Sequence, residues 1–233
     1  MTLRVPILFG LFPVILGGGC ASSDDRTVSI AFRDGEHGWR SGFADYPEGA
    51  DEAFELTAGL APVPAPVGGQ GFRSSGNNHS GSLFMFLAGR VEDLLPTTRY
   101  RVSMEVEFAS NAGSGCVGVG GTPGESVFFK AGASAIEPKA VVVETANGRD
   151  WQMNVDKGAQ SQSGGDALVL GDIAVTTSCT TPTYVKKVLT SPAPQSAETA
   201  TDGSLWLMVG TDSGFEATTT LYYLGVTATL EPE

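Results

Sequence analysis

The chain has 233 residues, and its 26 aspartates and glutamates outnumber its 14 lysines and arginines, which gives a formal net charge of −12 at pH 7. A surface this acidic repels nucleic acid and anionic lipid head groups, and no basic stripe compensates, so the sequence excludes nucleic-acid binding. Because the chain has only two histidines, a histidine-rich metal site is nearly excluded as well.

Residues 1–19 have the layout of a secretory signal peptide. Arg4 supplies a positive charge ahead of an apolar run over residues 5–19, and small residues lead directly to Cys20. The run is shorter than the roughly 20 apolar residues that a membrane-spanning helix needs. One interpretation of this pattern is therefore a cleaved secretory signal followed by an incidental cysteine.

The segment that ends at Cys20 also resembles the lipobox of bacterial lipoproteins. It departs from that pattern in one place, because the usual Leu three residues before the cysteine is Gly17 here and Leu16 lies one residue earlier. The resemblance implies that Cys20 becomes the N-terminus, is lipidated on its thiol and holds the protein to the membrane of the bacterial cell envelope. Ala21 stands where an Asp would favour the inner membrane, so the resemblance favours the outer membrane.

The chain after a short polar tether, residues 20–27, is β-patterned almost throughout. Residues 100–108 alternate between apolar and polar side chains, as in a strand with one buried face. Residues 83–87 are continuously apolar, which is typical of a strand covered on both faces, and residues 222–230 alternate again. Short strands separated by turn residues predict an all-β fold, a single antiparallel β-sandwich over residues 28–233.

Weaker patterns predict additional strands, and one segment is predicted to be mobile. The mobile segment is the polar stretch that runs from a stiff proline-rich loop at 191–194 to residue 203. The additional strands are predicted near residues 28–32, 54–58, 116–120, 126–130, 139–144, 167–174 and 184–189.

Two segments resemble jelly-roll carbohydrate-binding modules. The turn phrase at residues 91–102 precedes a long alternating strand, and residues 32–39 resemble the first strand and tryptophan of those modules. The resemblance implies a jelly-roll-like sandwich and glycan binding. The chain also resembles an uncharacterised group of exported bacterial lipoproteins, through the phrases at 42–47, 75–80 and 210–216.

Cys116 and Cys179 are the only cysteines besides Cys20. Two thiols in an exported chain usually pair, so we predict a disulfide between them, with two free thiols as the alternative. A metal site built from this pair is less favoured, because no histidine lies nearby to complete a ligand set.

Three aromatic residues lie close together in the sequence amid glycine and aspartate. Trp39, Phe43 and Tyr46 could form a platform on which a sugar ring stacks, since aromatic faces offer a broad apolar surface. The alternative is that they pack in the core or cover a sheet edge.

A polar turn before the strand at residue 83 offers hydrogen-bonding groups for a glycan. Asn77, Asn78 and His79 lie in this turn, and asparagine side chains present both donors and acceptors, as sugar hydroxyls require. The alternative is turn chemistry, in which these side chains bond their own backbone.

Four acidic residues are candidates for a structural calcium site. Asp212 and Glu216 flank a glycine in the loop before the last strand, and Asp34 and Glu36 follow the first strand. Carboxylates and backbone oxygens are the ligands that Ca²⁺ prefers, and jelly-roll modules often hold calcium where the first and last strands meet. The alternative is a solvated acidic turn.

Catalytic and nucleotide-binding patterns are weak. Glu105 and Glu107 could serve as an acid–base pair for glycoside hydrolysis, but exposed glutamates on a strand are common. The glycine-rich segment 118–126 has Glu125 where a phosphate loop has Lys, so we reject a nucleotide site.

The sequence therefore favours a non-catalytic envelope lipoprotein that binds a glycan. The alternatives are a structural or adhesive protein that binds another protein, and a carbohydrate-active enzyme whose paired carboxylates we do not identify.

Overall fold

The computed structural model describes residues 25–233, so the predicted signal peptide and Cys20 lie outside the described residues. Within this range there is no α-helix, and no helix could cross a membrane. One 3-10 turn at Phe32–Asp34 follows the first strand. The strands are β1 (Arg26–Ala31), β2 (Arg40–Ala44), β3 (Tyr46–Pro47), β4 (Thr57–Pro62), β5 (Gln70–Asn77), β6 (Phe84–Val91), β7 (Arg99–Ser110), β8 (Val127–Ser134), β9 (Ala140–Thr145), β10 (Gly148–Met153), β11 (Leu168–Asp172), β12 (Val185–Thr190), β13 (Gln195–Glu198), β14 (Leu205–Ser213) and β15 (Thr218–Pro232).

Two antiparallel sheets form the sandwich. The first has the order β12-β7-β15-β5-β4, with β1 paired to β15 and β13 paired to β7, and the second has the order β11-β8-β14-β6-β2. Consecutive strands such as β5 and β6, β7 and β8, or β14 and β15 lie in opposite sheets. Neighbours within a sheet therefore come from distant parts of the chain, which is the jelly-roll arrangement. The predicted all-β, antiparallel sandwich is confirmed.

The main core lies between these two sheets and follows the alternation of the strands. In β7, Tyr100, Val102, Met104, Val106 and Phe108 point inward and are almost fully buried. The polar residues between them face outward, as the two-residue period of a strand requires. The alternation of this strand in the sequence therefore correctly identifies its buried face.

A second apolar layer covers the outer face of the five-stranded sheet. The small sheet β3-β10-β9 lies on this side, together with the segment 154–167, which we call the strap. Phe84 and Phe86 of β6 pack in this layer, against Met153 of β10, while Leu87 of the same strand packs in the main core. This explains why the run at residues 83–87 is continuously apolar, because both faces of the strand are covered there.

Three local predictions differ from the structure. The first strand begins at Arg26, so the end of the predicted tether is already part of the sheet. Residues 116–120 form no strand, because they lie in a glycine-rich loop between β7 and β8. The polar stretch after residue 194 is predicted to be mobile, but it begins with β13, where the side chain of Gln195 is buried and bonds the backbone of Ala133.

Cys116 and Cys179 form a disulfide, with their Cα atoms 5.6 Å apart. The bond joins the glycine-rich loop after β7 to the loop between β11 and β12. Because 63 residues separate the two cysteines, the chain-entropy model gives roughly 4 kcal/mol of stabilisation. The predicted pairing is confirmed.

Candidate functional site

A polar cleft lies where the small sheet meets the end of β2 and the turn after β5. Its cavity measures about 600 Å³, within the range of ligand pockets in proteins. A second cavity of about 350 Å³ adjoins it and shares Asp45, Ser82 and Gln152 with the first. We call the two together the cleft. The other residues that line the larger cavity are Tyr46, Pro47, Glu48, Ser80, Asn147, Arg149 and Asp150.

Asp45 lies at the junction of the two cavities and is the single residue between β2 and β3. Its φ of 63° is in the left-handed region, which aspartate tolerates better than most residues. Its backbone N–H donates to the carbonyl of Trp151 at 2.6 Å, and its carbonyl accepts from the hydroxyl of Ser80 at 2.9 Å. These bonds fix the residue in this conformation and direct its carboxylate towards the strap.

Two lysines and two aspartates meet at the floor of the cleft. The Nζ of Lys157, on the strap, lies 2.6 Å from Oδ2 of Asp212 on β14 and 2.8 Å from Oδ2 of Asp45. Lys130 of β8 lies behind them, with its Nζ 3.6 Å from the same Asp212 oxygen. The Asp212 side chain is 1% exposed and that of Lys130 is fully buried, so this charge cluster belongs to the interior. The formal charges of the four side chains sum to zero.

Burial and the neighbouring charges shift the pKa values in this cluster. Burial raises the pKa of Asp45, although the ammonium of Lys157 opposes the shift. Burial alone would lower the pKa of Lys157, but the carboxylates of Asp212 and Asp45 outweigh it and raise the pKa. For Lys130 burial prevails over the attraction of Asp212 and lowers the pKa.

The strap is attached to the sheet through backbone groups. The buried ammonium of Lys130 donates to the carbonyls of Lys157 and Gln162, both at 2.7 Å. The Asp156 carboxylate accepts from the backbone N–H groups of Gly158 and Gly165, and these bonds lower its pKa. Gly164 and Gly165 predict a turn in this segment, and no motif in the sequence identifies Lys157.

The predicted aromatic platform is not formed. Trp39 is buried in the main core, where it meets Phe32 edge to face. Tyr46 is 5% exposed and belongs to a small apolar cluster, and Phe43 packs against that cluster. The hydroxyl of Tyr46 donates to Asp51 at 2.9 Å. Trp39 and Tyr46 are almost fully buried and Phe43 is half-buried against the Tyr46 cluster, so the three rings do not form a shared stacking platform.

At the centre of the polar turn after β5, the side chain of Asn78 stabilises the fold and is not available to a ligand. Asn78 is 1% exposed, and its Oδ1 accepts from the backbone N–H groups of Ser80, Gly81 and Leu83. This corrects the prediction that its amide contacts a glycan, because turn chemistry occupies it.

The two neighbours of Asn78 differ from it. Asn77 is half-buried, and its amide lies 3.4 Å from a carboxylate oxygen of Glu55. His79 is exposed, with its ring edge-to-face against Phe54. Neither Asn77 nor His79 lines the cleft, so binding by these two side chains stays a prediction.

The four acidic residues predicted to bind calcium are not brought together. Asp212 is not a metal ligand in this structure, because its carboxylate contacts the ammonium of Lys157. Asp34 is exposed and contacts Arg33, and Glu36 and Glu216 are exposed. Within residues 25–233, no group of three or more histidine, cysteine, aspartate or glutamate side chains is arranged to hold a metal ion. Calcium binding stays a prediction of the sequence to which this geometry gives no support.

A separate groove of about 230 Å³ with a mixed polar and apolar lining lies beside the disulfide. Phe215 and Pro182 line it together with Val117, whose side chain is 97% exposed. Val119, nearby on the same loop, is 64% exposed. Exposed valines on a loop that is held by a disulfide form a fixed apolar surface.

Comparisons with known proteins support no assignment to a family. No family matches the chain, and no curated protein is similar to it in sequence. Solved structures with a related fold include one described as a carbohydrate-binding module of the β-sandwich superfamily. It is 12% identical, with a TM-score of 0.40, and the match covers 84% of this chain and 58% of that one, less than two thirds of its length.

Two other similar structures have the same low level of likeness. A putative sugar-binding protein from Bacteroides thetaiotaomicron VPI-5482 is 13% identical, with 84% and 87% of the two chains covered and a TM-score of 0.40. A family 11 carbohydrate-binding module of a Clostridium thermocellum cellulase is 8% identical, with 89% and 95% covered and a TM-score of 0.38. Likeness this weak carries no argument about function, and the fold class rests on the strand topology described above.

Proposed function

We propose that this chain binds a glycan, without catalysing a reaction on it, in the cleft between the small sheet and the turn after β5. The observation that carries the proposal is the lining of the larger cavity. Hydroxyls of Ser80 and Ser82, amides of Asn147 and Gln152, and the carboxylate of Asp150 line one concave space. Sugar hydroxyls both donate and accept hydrogen bonds, so a ligand of this class matches such a mixed set of groups.

The charge cluster supports a non-catalytic role. Glycoside hydrolysis requires one carboxyl group that gives a proton and a second that acts as nucleophile or base. Among the carboxylates that line the cleft, Asp45 and Asp212 both contact the single ammonium of Lys157, and Glu48 contacts the guanidinium of Arg149. Each of these three carboxylates is paired with a cation, so we assign none of them to glycoside hydrolysis.

The experiment is a glycan array with the detergent-solubilised full chain, followed by calorimetry on each glycan that binds. Gln152→Ala removes one amide from the cleft and should weaken binding by about tenfold, or 1.4 kcal/mol. Ser82→Phe should abolish binding, because residue 82 lines both cavities. Gln70→Ala is the matched control, since this exposed glutamine lies at the start of β5 and outside the cleft.

Two results would contradict the proposal. One is an array without any bound glycan, and the other is a glycan whose affinity is the same for wild type, Gln152→Ala and Ser82→Phe. The second result would leave glycan binding intact but would locate it elsewhere on the surface.

We propose further that Cys20 is lipidated and holds the domain to the bacterial cell envelope, with the outer membrane favoured by Ala21. The small residues that lead to Cys20 support this proposal. Cys20→Ser should move the protein from the membrane fraction to the soluble fraction. Retention of the Cys20→Ser protein in the membrane fraction would show that another segment holds it there.

A second candidate function is binding to another envelope protein, and the exposed valines beside the disulfide favour it. Val117→Asp with Val119→Asp should disrupt such a complex, because a charge in an apolar interface is costly. The control is Val188→Asp, which changes a half-exposed valine on β12, away from the groove. Native gels of detergent extracts would show whether only the double variant loses a larger species.

A further inference from the structure

We propose that the side chains of Lys157 and Asp212 join in an intramolecular amide bond, with Asp45 carrying the proton between them. The bond would tie the strap covalently to β14 of the five-stranded sheet. This inference concerns the floor of the cleft and does not depend on what the cleft binds.

The reacting atoms are already in contact. The Nζ of Lys157 lies 2.6 Å from Oδ2 of Asp212, and the side chains are 9% and 1% exposed. Two groups held at contact distance in a fixed interior react as an intramolecular pair, which removes the entropy that two free molecules lose on meeting. Asp45 completes the set, because its Oδ2 lies 2.8 Å from the same nitrogen.

The reaction is balanced without any co-reactant. An ammonium and a carboxylate contain the same atoms, and the same total charge, as an amide and one water molecule. Lys157 gives one proton to Asp45, its lone pair attacks Cγ of Asp212, and the new C–N bond forms as the nitrogen loses a second proton. One carboxylate oxygen leaves with both protons as water, and Asp45 returns to its charged form.

The environment favours the neutral product. A buried ion pair carries a desolvation penalty that its own attraction does not always offset, whereas an amide carries no charge. The ammonium of Lys157 also lies 4.9 Å from the centre of the Phe84 ring, so apolar surface covers one side of it. Formation of the amide removes both charges from this surrounding.

The two oxygens of Asp212 have different partners. Oδ2 accepts from the backbone N–H of Gln160 at 3.0 Å, and a backbone N–H in this position stabilises the negative charge that develops on the oxygen during attack. Oδ1 is buried without a hydrogen-bond partner among the described residues. The amide retains only one of these two oxygens, so its formation removes one buried acceptor from the interior.

Asp45 is suited to hold the transferred proton. Burial raises its pKa, as expected for a carboxyl that acts as a general acid and base. Since the two carboxylates raise the pKa of Lys157, the ion pair is the starting state and the proton transfer to Asp45 is the step that begins the reaction.

The test is a tryptic digest of the denatured and reduced full chain, analysed by mass spectrometry. Trypsin cuts after lysine and arginine, so an unmodified chain gives a peptide of residues 150–157 and a C-terminal peptide of residues 188–233. The amide blocks cleavage after Lys157. We expect one branched product that joins residues 150–186 to residues 188–233 and is lighter than their sum by one water molecule.

Four variants define the chemistry. Lys157→Arg and Asp212→Ala remove the reacting groups, and Asp45→Ala removes the proton carrier, so each should give only linear peptides. Lys139→Met is the control and should retain the branched product, because this exposed lysine lies outside the charge cluster. Circular dichroism establishes that each variant is folded.

The wild-type digest decides the proposal even if a variant fails to fold. Linear peptides alone would show that the groups form only an ion pair, and a branch at Lys130 instead of Lys157 would overturn the assignment. The Gln152→Ala protein should form the branch as wild type does. Loss of glycan binding in that variant, with the branch intact, therefore shows that glycan binding and the amide bond can be tested independently of each other.

Discussion

The side-chain amide of Asn78 donates hydrogen bonds to the backbone carbonyls of Ser213 and Phe215, at 2.8 and 2.9 Å. Asn78 follows β5 in the first sheet, and Ser213 ends β14 in the second. One buried side chain thus connects the turn beside the cleft to the end of a central strand 135 residues away.

Asn78→Ala should lower the free energy of unfolding by roughly 2–4 kcal/mol, because it leaves several buried backbone groups without partners. Urea denaturation measures the change. Asn77→Ala is the matched control and should lower the free energy by less than about 1 kcal/mol, since its amide makes only a long contact with Glu55. Equal losses in the two variants would show that the Asn78 bonds do not stabilise the fold.

Replacement of both Cys116 and Cys179 by serine should lower the free energy of unfolding by roughly 4 kcal/mol, because the unfolded chain regains the freedom of a long loop. Thermal melts of wild type with and without a reductant should show that the reductant lowers stability by a similar amount. The stability of the double variant should not change when the reductant is added. A reductant effect in the double variant would point to a different thiol.

Glu125 should make stability depend on pH in the acid range. Its carboxylate accepts from the N–H of Gly115 and the hydroxyl of Ser114, both at 2.8 Å, and these bonds lower its pKa from 4.5 to about 2. Because the pKa is lower in the folded state, the stabilisation is complete above pH 4.5 and is lost as the pH falls towards 2.

Glu125→Gln should flatten this part of the pH profile and cost roughly 1–3 kcal/mol at neutral pH. Chemical denaturation at several pH values between 2 and 7 provides the measurement. A Glu125→Gln profile with the same acid slope as wild type would assign that slope to other carboxylates.

Gly132→Ala should destabilise the protein, because a Cβ at residue 132 would collide with the backbone carbonyl of Asp166 in the strap. Backbone atoms cannot rotate away, so we expect a loss of roughly 1–3 kcal/mol in the free energy of unfolding. Gly165→Ala is the control within the strap, since its Cβ would meet only a carboxylate oxygen of Asp156, at 3.4 Å. Wild-type stability in Gly132→Ala would show that the strap can move off the sheet.

The sequence by itself determines which segments become the clearest strands and, for β7, which face is buried, whereas a bulge in β15 moves Tyr222 and Leu224 to the face opposite Val226. Residues 100–108 alternate with a period of two, and β7 buries the predicted face, because alternation is a local consequence of strand geometry. The apolar run at residues 83–87 likewise identifies a strand that is covered on both faces. The pairing of Cys116 with Cys179 is predicted from the number of cysteines, on the expectation that the chain is exported.

Only the tertiary structure brings Asp45, Lys130, Lys157 and Asp212 together. They come from β8, β14, the strap and the junction of β2 and β3, and nothing in the local pattern of any one segment indicates the others. Residues 116–120 and Trp39 are misjudged for the same reason, because a loop held by a distant cysteine and an aromatic ring covered by another sheet depend on long-range contacts. Periodicity specifies the two faces of a strand, whereas the partners that cover those faces depend on the pairing of strands far apart in the chain.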